Sequence, residues 1–306
     1  MTLTCGGGIR PDMLEVVLNG LVLGGMYGLI ALGLNLQFGI ARMLNLSYGE
    51  FFMLGAFASL LAVTGFTVSG VAIGPLNPLL GLLVSVPLAF VINWLIYRIL
   101  LVPLIKRAPN RDALDADIVL VTFGLLFVFR GYAEISSSGN ATAYEFLNFL
   151  VNIFGAGIPA NRLMAFIVSL VLGGGLILLL RKTRLGSAWR AIAIDPVAAS
   201  LSGVNVMALS ALAFALGGAL IAISGALVST FSVTTVGIGI VYTLKALIIV
   251  IVGGPGRMGG ALAAGLLLGV AETLALQFAA GLTLVINYAI LMLVLLIKPT
   301  GLFSRG

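Results

Sequence analysis

The sequence predicts an all-α polytopic membrane protein with about eight or nine transmembrane helices, some of them broken or half-spanning. Hydrophobic residues make up 61% of the 306 positions and charged residues only 8%, whereas a soluble domain carries about 25% charged residues. The mean hydropathy is +1.22. Long apolar runs recur along the chain, and such runs must be helical because lipid offers the backbone no hydrogen-bond partners. We treat residues 1–306 as a single transmembrane domain.

Each predicted span is an apolar run close to the roughly 20 residues needed to cross a bilayer. A glycine-rich stretch, GGPGRMGG at 253–260, interrupts the seventh run, so that run is either two helices or one broken helix pair. We expect its glycines to let the backbone turn sharply between two half-spans; they are Gly253, Gly254, Gly256 and Gly259. The eight candidate runs are 14–36, 43–64, 79–105, 117–137, 163–180, 206–230, 234–278 and 281–297.

The basic residues predict the orientation. There are 16 basic and 10 acidic residues, a net charge of +6, and with nine spans and an outside N-terminus every basic cluster falls on the cytoplasmic side, as the positive-inside rule requires. The excess therefore indicates contact with anionic lipid rather than with nucleic acid. The clusters are Arg42; Lys106, Arg107 and Arg111; Arg181, Lys182, Arg184 and Arg190; Arg257; and Lys298 and Arg305.

The sequence offers no catalytic constellation. It contains one cysteine, Cys5, and no histidine, which excludes an internal disulfide framework and removes the commonest metal ligand and general base. The GGPGRMGG stretch lacks the Lys-Ser/Thr pair with which a P-loop holds phosphate and Mg²⁺. We expect a transport protein rather than an enzyme, with no metal and no cofactor in this chain. Uphill transport would then draw its energy from a partner or an ion gradient.

Two charges inside predicted spans are candidates for the translocation path or its gate, because ionisable groups in a membrane are costly. Glu50 follows Asn45, Ser47 and Tyr48 near a predicted cytoplasmic helix start, and these four residues form the candidate gate. Helix capping by Asn45 or Ser47, with Glu50 as a favourable first-turn acid, explains the pattern equally well. Lys245 is the fifth candidate; either Glu50 or a neighbouring subunit could be its partner.

Three other charges have simpler predicted roles. Arg130 and Glu134 lie four residues apart on one helix face, so we expect them to pair. Glu272 lies late in its span, and we expect it to reach the membrane interface.

A polar, cationic segment at 183–206 stands between two very apolar runs. Asp195 and Pro196 are typical of an N-cap and a first helical residue, and they predict a short helix. Small residues follow and offer a slim face for close docking, while the arginines can pair with acids or lipid phosphate. A plain positive-inside loop is the alternative. The candidate coupling residues are Arg184, Arg190, Asp195, Pro196, Ala198, Ala199 and Gly203.

Four blocks, taken in order, resemble the branched-chain amino acid permeases, membrane subunits of ABC importers for high-affinity amino acid uptake. Residues 19–57 are similar to the first block of that family, and 183–206 to its coupling loop. Residues 248–272 resemble its late glycine-rich block. The ending KPTGLFSRG resembles the usual basic-Pro-x-Gly-Leu-Phe terminus. The chain departs from the family at Tyr48, where histidine is frequent, and at Arg257, where a small residue is usual.

The resemblance implies a permease subunit in the bacterial inner membrane that passes branched-chain amino acids or a related amino acid, amide or urea. It also implies four kinds of partner: a second homologous permease subunit, two cytoplasmic ATPases that carry ATP and Mg²⁺, a periplasmic solute-binding protein, and membrane lipid. The coupling loop would form a short helix in a groove of the ATPase. A self-contained channel or ion-coupled carrier is the alternative, since glycine-broken helices also occur in such carriers.

Overall fold

The computed structural model describes residues 13–64, 66–68, 71–73, 78–137, 143–144, 146–153, 156–279, 281–298 and 301–303. The described chain is an assembly of helices with two short hairpins. The helices are α1 (Met13–Leu36), α2 (Tyr48–Thr64), α3 (Pro78–Leu95), α4 (Val102–Arg107), α5 (Arg111–Ser137), α6 (Ala160–Lys182), α7 (Arg184–Ile194), α8 (Pro196–Leu201), α9 (Val206–Val228), α10 (Ile238–Gly253), α11 (Met258–Phe278) and α12 (Leu282–Ile297).

Every predicted span corresponds to one or more helices, which confirms the fold class. The run 234–278 is two helices, α10 and α11, and the run 79–105 is α3 and α4 joined by a π-helical segment, Ile96–Leu101. A second π-helical segment, Gln37–Ala41, extends α1. Within the described residues, five helices are long and apolar enough to cross a membrane, and α2, α10 and α12 are shorter apolar helices.

Two antiparallel hairpins are the departure from an all-α chain. Strands β1 (Phe66–Val68) and β2 (Val71–Ile73) pair with Phe66 opposite Ile73. Strands β3 (Leu150–Ile153) and β4 (Ala156–Pro159) pair with Leu150 opposite Pro159. Both lie in the connections that follow α2 and α5. Where such a connection reverses its direction, pairing satisfies backbone groups that are no longer bonded within a helix.

Glycines let α1 and α11 cross in direct backbone contact. A Cβ atom placed on Gly24 would lie 2.7 Å from the Cα of Leu266, and one on Gly20 would lie 2.7 Å from the Cα of Val270. On the α11 side, a Cβ on Gly265 would lie 2.5 Å from the backbone nitrogen of Gly28. No side chain larger than hydrogen fits these positions. The glycines of α1 and α11 therefore form packing surfaces, which let the two helices associate closely in lipid.

The turn between α10 and α11 depends on glycine as well. Gly254 and Gly256 have φ angles of 90° and 79°, which residues with a Cβ atom adopt rarely. The amide of Gly256 donates to Oδ1 of Asn35 on α1 at 2.6 Å. The structure thus places the predicted glycine-rich break at a sharp turn whose backbone is held by α1.

Arg130 and Glu134 do not pair, so that prediction is wrong. The described residues contain only two ion pairs, Arg111 with Asp115 and Lys245 with Glu272. Glu134 is exposed on α5. The guanidinium of Arg130 turns instead toward the start of α10, where a Cβ placed on Gly237 would lie 3.9 Å from Nη2. Four-residue spacing permits a helical pair, but the neighbouring helix offers Arg130 a different environment.

Lys245 and Glu272 form an ion pair inside the helix assembly. Nζ of Lys245 lies 2.8 Å from Oε1 and 3.1 Å from Oε2 of Glu272, and it also donates to the hydroxyl of Tyr27 at 2.5 Å. It lies 4.6 Å from the ring centre of Tyr27 and 5.5 Å from that of Tyr242. Glu272 is 6% exposed. Within this subunit, Glu272 rather than Glu50 is therefore the partner of Lys245, and Glu272 does not reach the interface.

We predict that Glu272→Gln destabilises the protein by about 3–5 kcal/mol, because it leaves the ammonium of Lys245 buried without its counter-charge. The double variant Lys245→Met, Glu272→Leu removes both charges and should recover most of that loss. Unfolding of the purified protein in detergent micelles measures both effects. Glu134→Gln is the matched control, since Glu134 is exposed and joins neither ion pair. Equal stability of Glu272→Gln and this control would contradict the assigned role of the pair.

Candidate coupling and translocation sites

The polar segment 183–206, called the coupling segment below, contains two short helices, α7 and α8. Oγ1 of Thr183 accepts the amide of Gly186 at 3.1 Å and begins α7. Oδ1 of Asp195 accepts the amides of Val197 at 2.8 Å and Ala198 at 3.1 Å and begins α8. Pro196 is the first residue of α8, where its missing amide hydrogen costs nothing. The structure therefore places Asp195 and Pro196 at the start of a short helix.

Gly203 ends this unit. Its φ angle is 82°, and the amide of Val204 turns back to the carbonyl of Ala199 at 3.1 Å. Oδ1 of Asn205 then accepts the amide of Ala208 at 3.0 Å and begins α9. A left-handed glycine directly after a helix is the usual way to close its last turn. Gly203 therefore ends α8, and glycine is needed there for its backbone conformation rather than for docking.

The outward surface of α8 is larger and more apolar than predicted. Ala198 is exposed, but Ala199 is 3% exposed and packs against the core. The predicted small docking face is therefore wrong at Ala199. The exposed aliphatic side chains here are instead Val197 and Leu201 on α8, 67% and 84% exposed, and Ile194, the last residue of α7, 81% exposed. Val197 and Leu201 lie four residues apart and so share one face of α8, a signal that the sequence contained.

Arg190 and Arg184 of the coupling segment differ in whether they bond within the subunit. Arg190 donates to the carbonyl of Leu180 at the end of α6, so its guanidinium is engaged within the subunit. Arg184 is exposed and lies in the first turn of α7. Sequence reasoning missed Arg42, whose Nη2 donates to the carbonyls of Ala193 at 2.8 Å and Ile194 at 3.0 Å.

The basic clusters of the sequence meet at one end of the helix assembly. A cavity of about 670 Å³ there is lined by Arg42, Arg111 and Arg257 together with Ala193 and Ile194. A smaller cavity of about 200 Å³ beside it is lined by residues that include Arg181 and Arg190. This convergence agrees with the predicted cytoplasmic end, because cytoplasmic segments carry the excess of arginine and lysine.

Asn45 and Ser47 organise the connection between α1 and α2. Oδ1 of Asn45 accepts the backbone amide of Ser47 at 3.1 Å and its hydroxyl at 2.8 Å. Nδ2 of Asn45 donates to Oε1 of Gln37 at 3.3 Å, and Nε2 of Gln37 donates to the carbonyl of Phe214 at 2.8 Å. Asn45 and Ser47 are 2% and 0% exposed. This network links the start of α2 to α9.

Tyr48 and Glu50 begin α2 and are buried at 0% and 1% exposure. The Tyr48 hydroxyl donates to the carbonyl of Ile30 at 2.8 Å and crowds the position that a Cβ atom would take on Gly33. The carboxylate of Glu50 lies against the first turn of α10, where a Cβ placed on Gly239 would be 2.8 Å from Oε1. Oε2 of Glu50 has no hydrogen-bond partner.

The five candidate gate residues therefore separate into two groups. Asn45, Ser47, Tyr48 and Glu50 lie together where α2 begins. Lys245 lies elsewhere on α10, in the ion pair with Glu272. The contact between α2 and α10 is made through Thr243, whose Oγ1 accepts the amide of Gly49 at 2.8 Å. The four buried residues at the start of α2 thus form a closed layer of the helix assembly, in which Oε2 of Glu50 is unpaired.

Similarity to two permease proteins, LivH and BraD, supports a transport role. LivH of Escherichia coli (strain K12), a high-affinity branched-chain amino acid transport system permease protein, is 30% identical over 95% of this chain and 96% of its own length. BraD of Pseudomonas aeruginosa, a permease protein of the same description, is 31% identical with the same coverage. PsaBC from Streptococcus pneumoniae in complex with Fab aligns with 96% of this chain and 95% of its own at 13% identity and a TM-score of 0.49.

The family model described as "Branched-chain amino acid transport system / permease component" matches residues 16–296. These residues include the closed layer at the start of α2, the coupling segment and the α10–α11 turn. Such permeases are multi-pass proteins of the inner (plasma) membrane, which agrees with the apolar helices of this chain. The chain therefore belongs to the family of branched-chain amino acid transport system permease components.

Proposed function

We propose that this chain is the permease subunit of an ABC importer for branched-chain amino acids or a related small amino acid, amide or urea. It pairs with a second homologous permease, receives solute from a periplasmic binding protein, and is driven by two cytoplasmic ATPases that hold ATP and Mg²⁺. Family membership supports the transport role. The sequence has no P-loop, which supports an external source of energy.

The exposed apolar face of α8 is the observation that best supports an ATPase partner. Val197 and Leu201 on α8, with Ile194 at the end of α7, are exposed at the end of the assembly where the arginines converge. Charged segments at a membrane surface have no need of three adjacent exposed aliphatic side chains, and such a patch marks an interaction site. Asp195 borders this face at the start of α8, and the exposed Arg184 at the far end of α7 is a second charge that can pair with the partner.

The buried layer at the start of α2 is proposed as the gate. Asn45, Ser47, Tyr48 and Glu50 are all less than 3% exposed, so solute cannot pass them in this conformation. The unpaired oxygen of Glu50 supports a layer that rearranges, because an unsatisfied buried carboxylate oxygen is costly and a different arrangement can satisfy it. Lys245, held by Glu272, is proposed as a fixed point beside this layer.

Reconstitution tests the proposed function. We expect the chain to co-purify with ATPase and permease partners encoded beside its gene, and the complex in proteoliposomes to take up leucine, isoleucine or valine only with ATP and binding protein present. A complex containing an ATPase with a disabled P-loop lysine is the control. Uptake by this chain alone, without any ATPase, would contradict the importer and favour the channel or ion-coupled carrier.

The docking role of α8 predicts the effect of Val197→Glu. A charge placed at the centre of an apolar contact should weaken ATPase association by about 10- to 100-fold, the effect expected for a central interface residue. Val197 is exposed, so folding and membrane insertion should not change. Val197→Ile keeps the apolar contact and should bind normally. Pull-down of the ATPase by the purified permease measures both variants, and equal binding by the two would exclude α8 from the interface.

The gate role predicts a change in the accessibility of Ser47. In a Cys5→Ser background, a cysteine introduced by Ser47→Cys should react slowly with a soluble maleimide in the resting complex and faster during ATP hydrolysis, since burial protects a thiol. Ser169→Cys is the matched control, because Ser169 is also buried, at 2% exposure, but lies within α6 rather than at the start of α2. Equal, constant protection of both cysteines would contradict a moving gate.

A further inference from the structure

Arg42 joins the coupling segment to the proposed gate. Its guanidinium holds the end of α7, immediately before α8, through bonds of 2.8 Å and 3.0 Å to the carbonyls of Ala193 and Ile194. Its backbone is the first residue of the connection that leads to Asn45, Ser47 and α2. Arg42 therefore belongs to the connection that leads to the proposed gate and also contacts the segment proposed to bind the ATPase.

The backbone of Arg42 is held in an unusual conformation. Its φ and ψ angles are 52° and 38°, a left-handed geometry that residues with a Cβ atom rarely adopt. Glycine or asparagine would adopt this geometry more readily. We therefore infer that arginine is present at this position because its long side chain reaches α7. The preceding segment, Gln37–Ala41, is a π-helical end of α1, and such segments frequently occur at functional sites.

A second arginine, Arg111, bonds the backbone carbonyl of Arg42. Nη2 of Arg111, at the start of α5, donates to the carbonyl of Arg42 at 3.0 Å. Arg111 also faces Asp115 at 3.9 Å on its own helix. Arg42 is thus bonded through its side chain to α7 and through its backbone to α5.

The path from Arg42 to the gate is short and polar. Asn45, three residues later, bonds to Ser47 ahead of it and to Gln37 behind it. Gln37 is bonded in turn to the carbonyl of Phe214 on α9. α7 is itself anchored on α9, because the Trp189 indole donates to the carbonyl of Leu209 at 2.9 Å. A displacement of α7 relative to α9 must therefore change either the Arg42 bonds or the position of the connection.

We propose that Arg42 is a positioning residue that transmits movement of α7–α8 to the start of α2, so that ATPase closure is converted into opening of the gate. Nη2 of Arg42 donates to two adjacent carbonyls at once, so the end of α7 cannot move away from Arg42 without losing charge-assisted hydrogen bonds. The inference rests on the proposed importer function. It adds a specific mechanical link between coupling segment and gate, made by a residue that touches neither the solute nor the nucleotide.

The test uses Arg42→Gly in the reconstituted complex. Glycine favours the left-handed backbone, so the variant should fold and assemble while losing the link to α7. We expect ATP hydrolysis to continue and solute uptake per ATP to fall by at least about tenfold, since the loss of one charge-assisted hydrogen bond represents about that factor and Arg42→Gly loses two. Arg42→Lys keeps a single charged nitrogen on a shorter side chain, and it should fall between wild type and Arg42→Gly.

Arg107→Ala is the matched control, because it removes one exposed arginine from the end of α4, and it should keep the wild-type ratio of uptake to hydrolysis. A structural readout is independent of activity: amide hydrogen exchange of residues 43–47 and of α8 should rise together in Arg42→Gly. A wild-type ratio in Arg42→Gly, or loss of complex assembly in that variant, would overturn the proposal. Failure of the wild-type complex to couple uptake to ATP would instead reject the proposed function.

Discussion

The direct backbone contact between α1 and α11 determines where most other parts of this molecule lie. Apolar surface gives helices little reason to associate in lipid, so contact at van der Waals distance must supply the attraction. The glycine stripes on both helices permit that distance. With α11 fixed on α1, Asn35 meets the turn that precedes α11, and Glu272 is brought to Lys245 beside Tyr27. The ion pair and the turn therefore both depend on the glycine contact.

The polar side chains around the start of α2 are largely paired with one another, and one carboxylate oxygen within the proposed gate is not. Tyr48, Asn45 and Gln37 all bond to backbone or to one another, as an environment without water requires. Oε2 of Glu50 is unpaired against the first turn of α10, with Arg130 turned toward the same helix start. Departures from full pairing tend to occur where structure changes during function. The gate assignment rests on that contrast rather than on the presence of a charge.

Local features could be predicted from the sequence, whereas partners between helices could not. The apolar runs and the Asp195-Pro196 helix start follow from properties of neighbouring residues. The pairing of Lys245 with Glu272 joins residues 27 positions apart, and only the α10–α11 turn brings them together. Ala199 was misassigned because small size indicates close packing without indicating on which side. The role of Arg42 depends on a contact 151 positions away, so the sequence showed only a basic residue at a predicted helix end.

The cytoplasmic arginines combine two physical roles in the same side chains. Their charge predicts that this end of the assembly faces the cytoplasm, and donors of Arg42 and Arg190 bond helix-end carbonyls that have no partner within the helix. Arg190 bonds the last turn of α6 and Arg42 the end of α7, whereas Arg257 donates to the carbonyl of Phe303, which lies after α12. Because these guanidinium groups are engaged internally, fewer of their donors are free for a partner. The exposed aliphatic face of α8 is then the part of the coupling segment that is free to bind a partner. The arginines hold the coupling segment to the neighbouring helices, so that a movement of the segment is passed on to them.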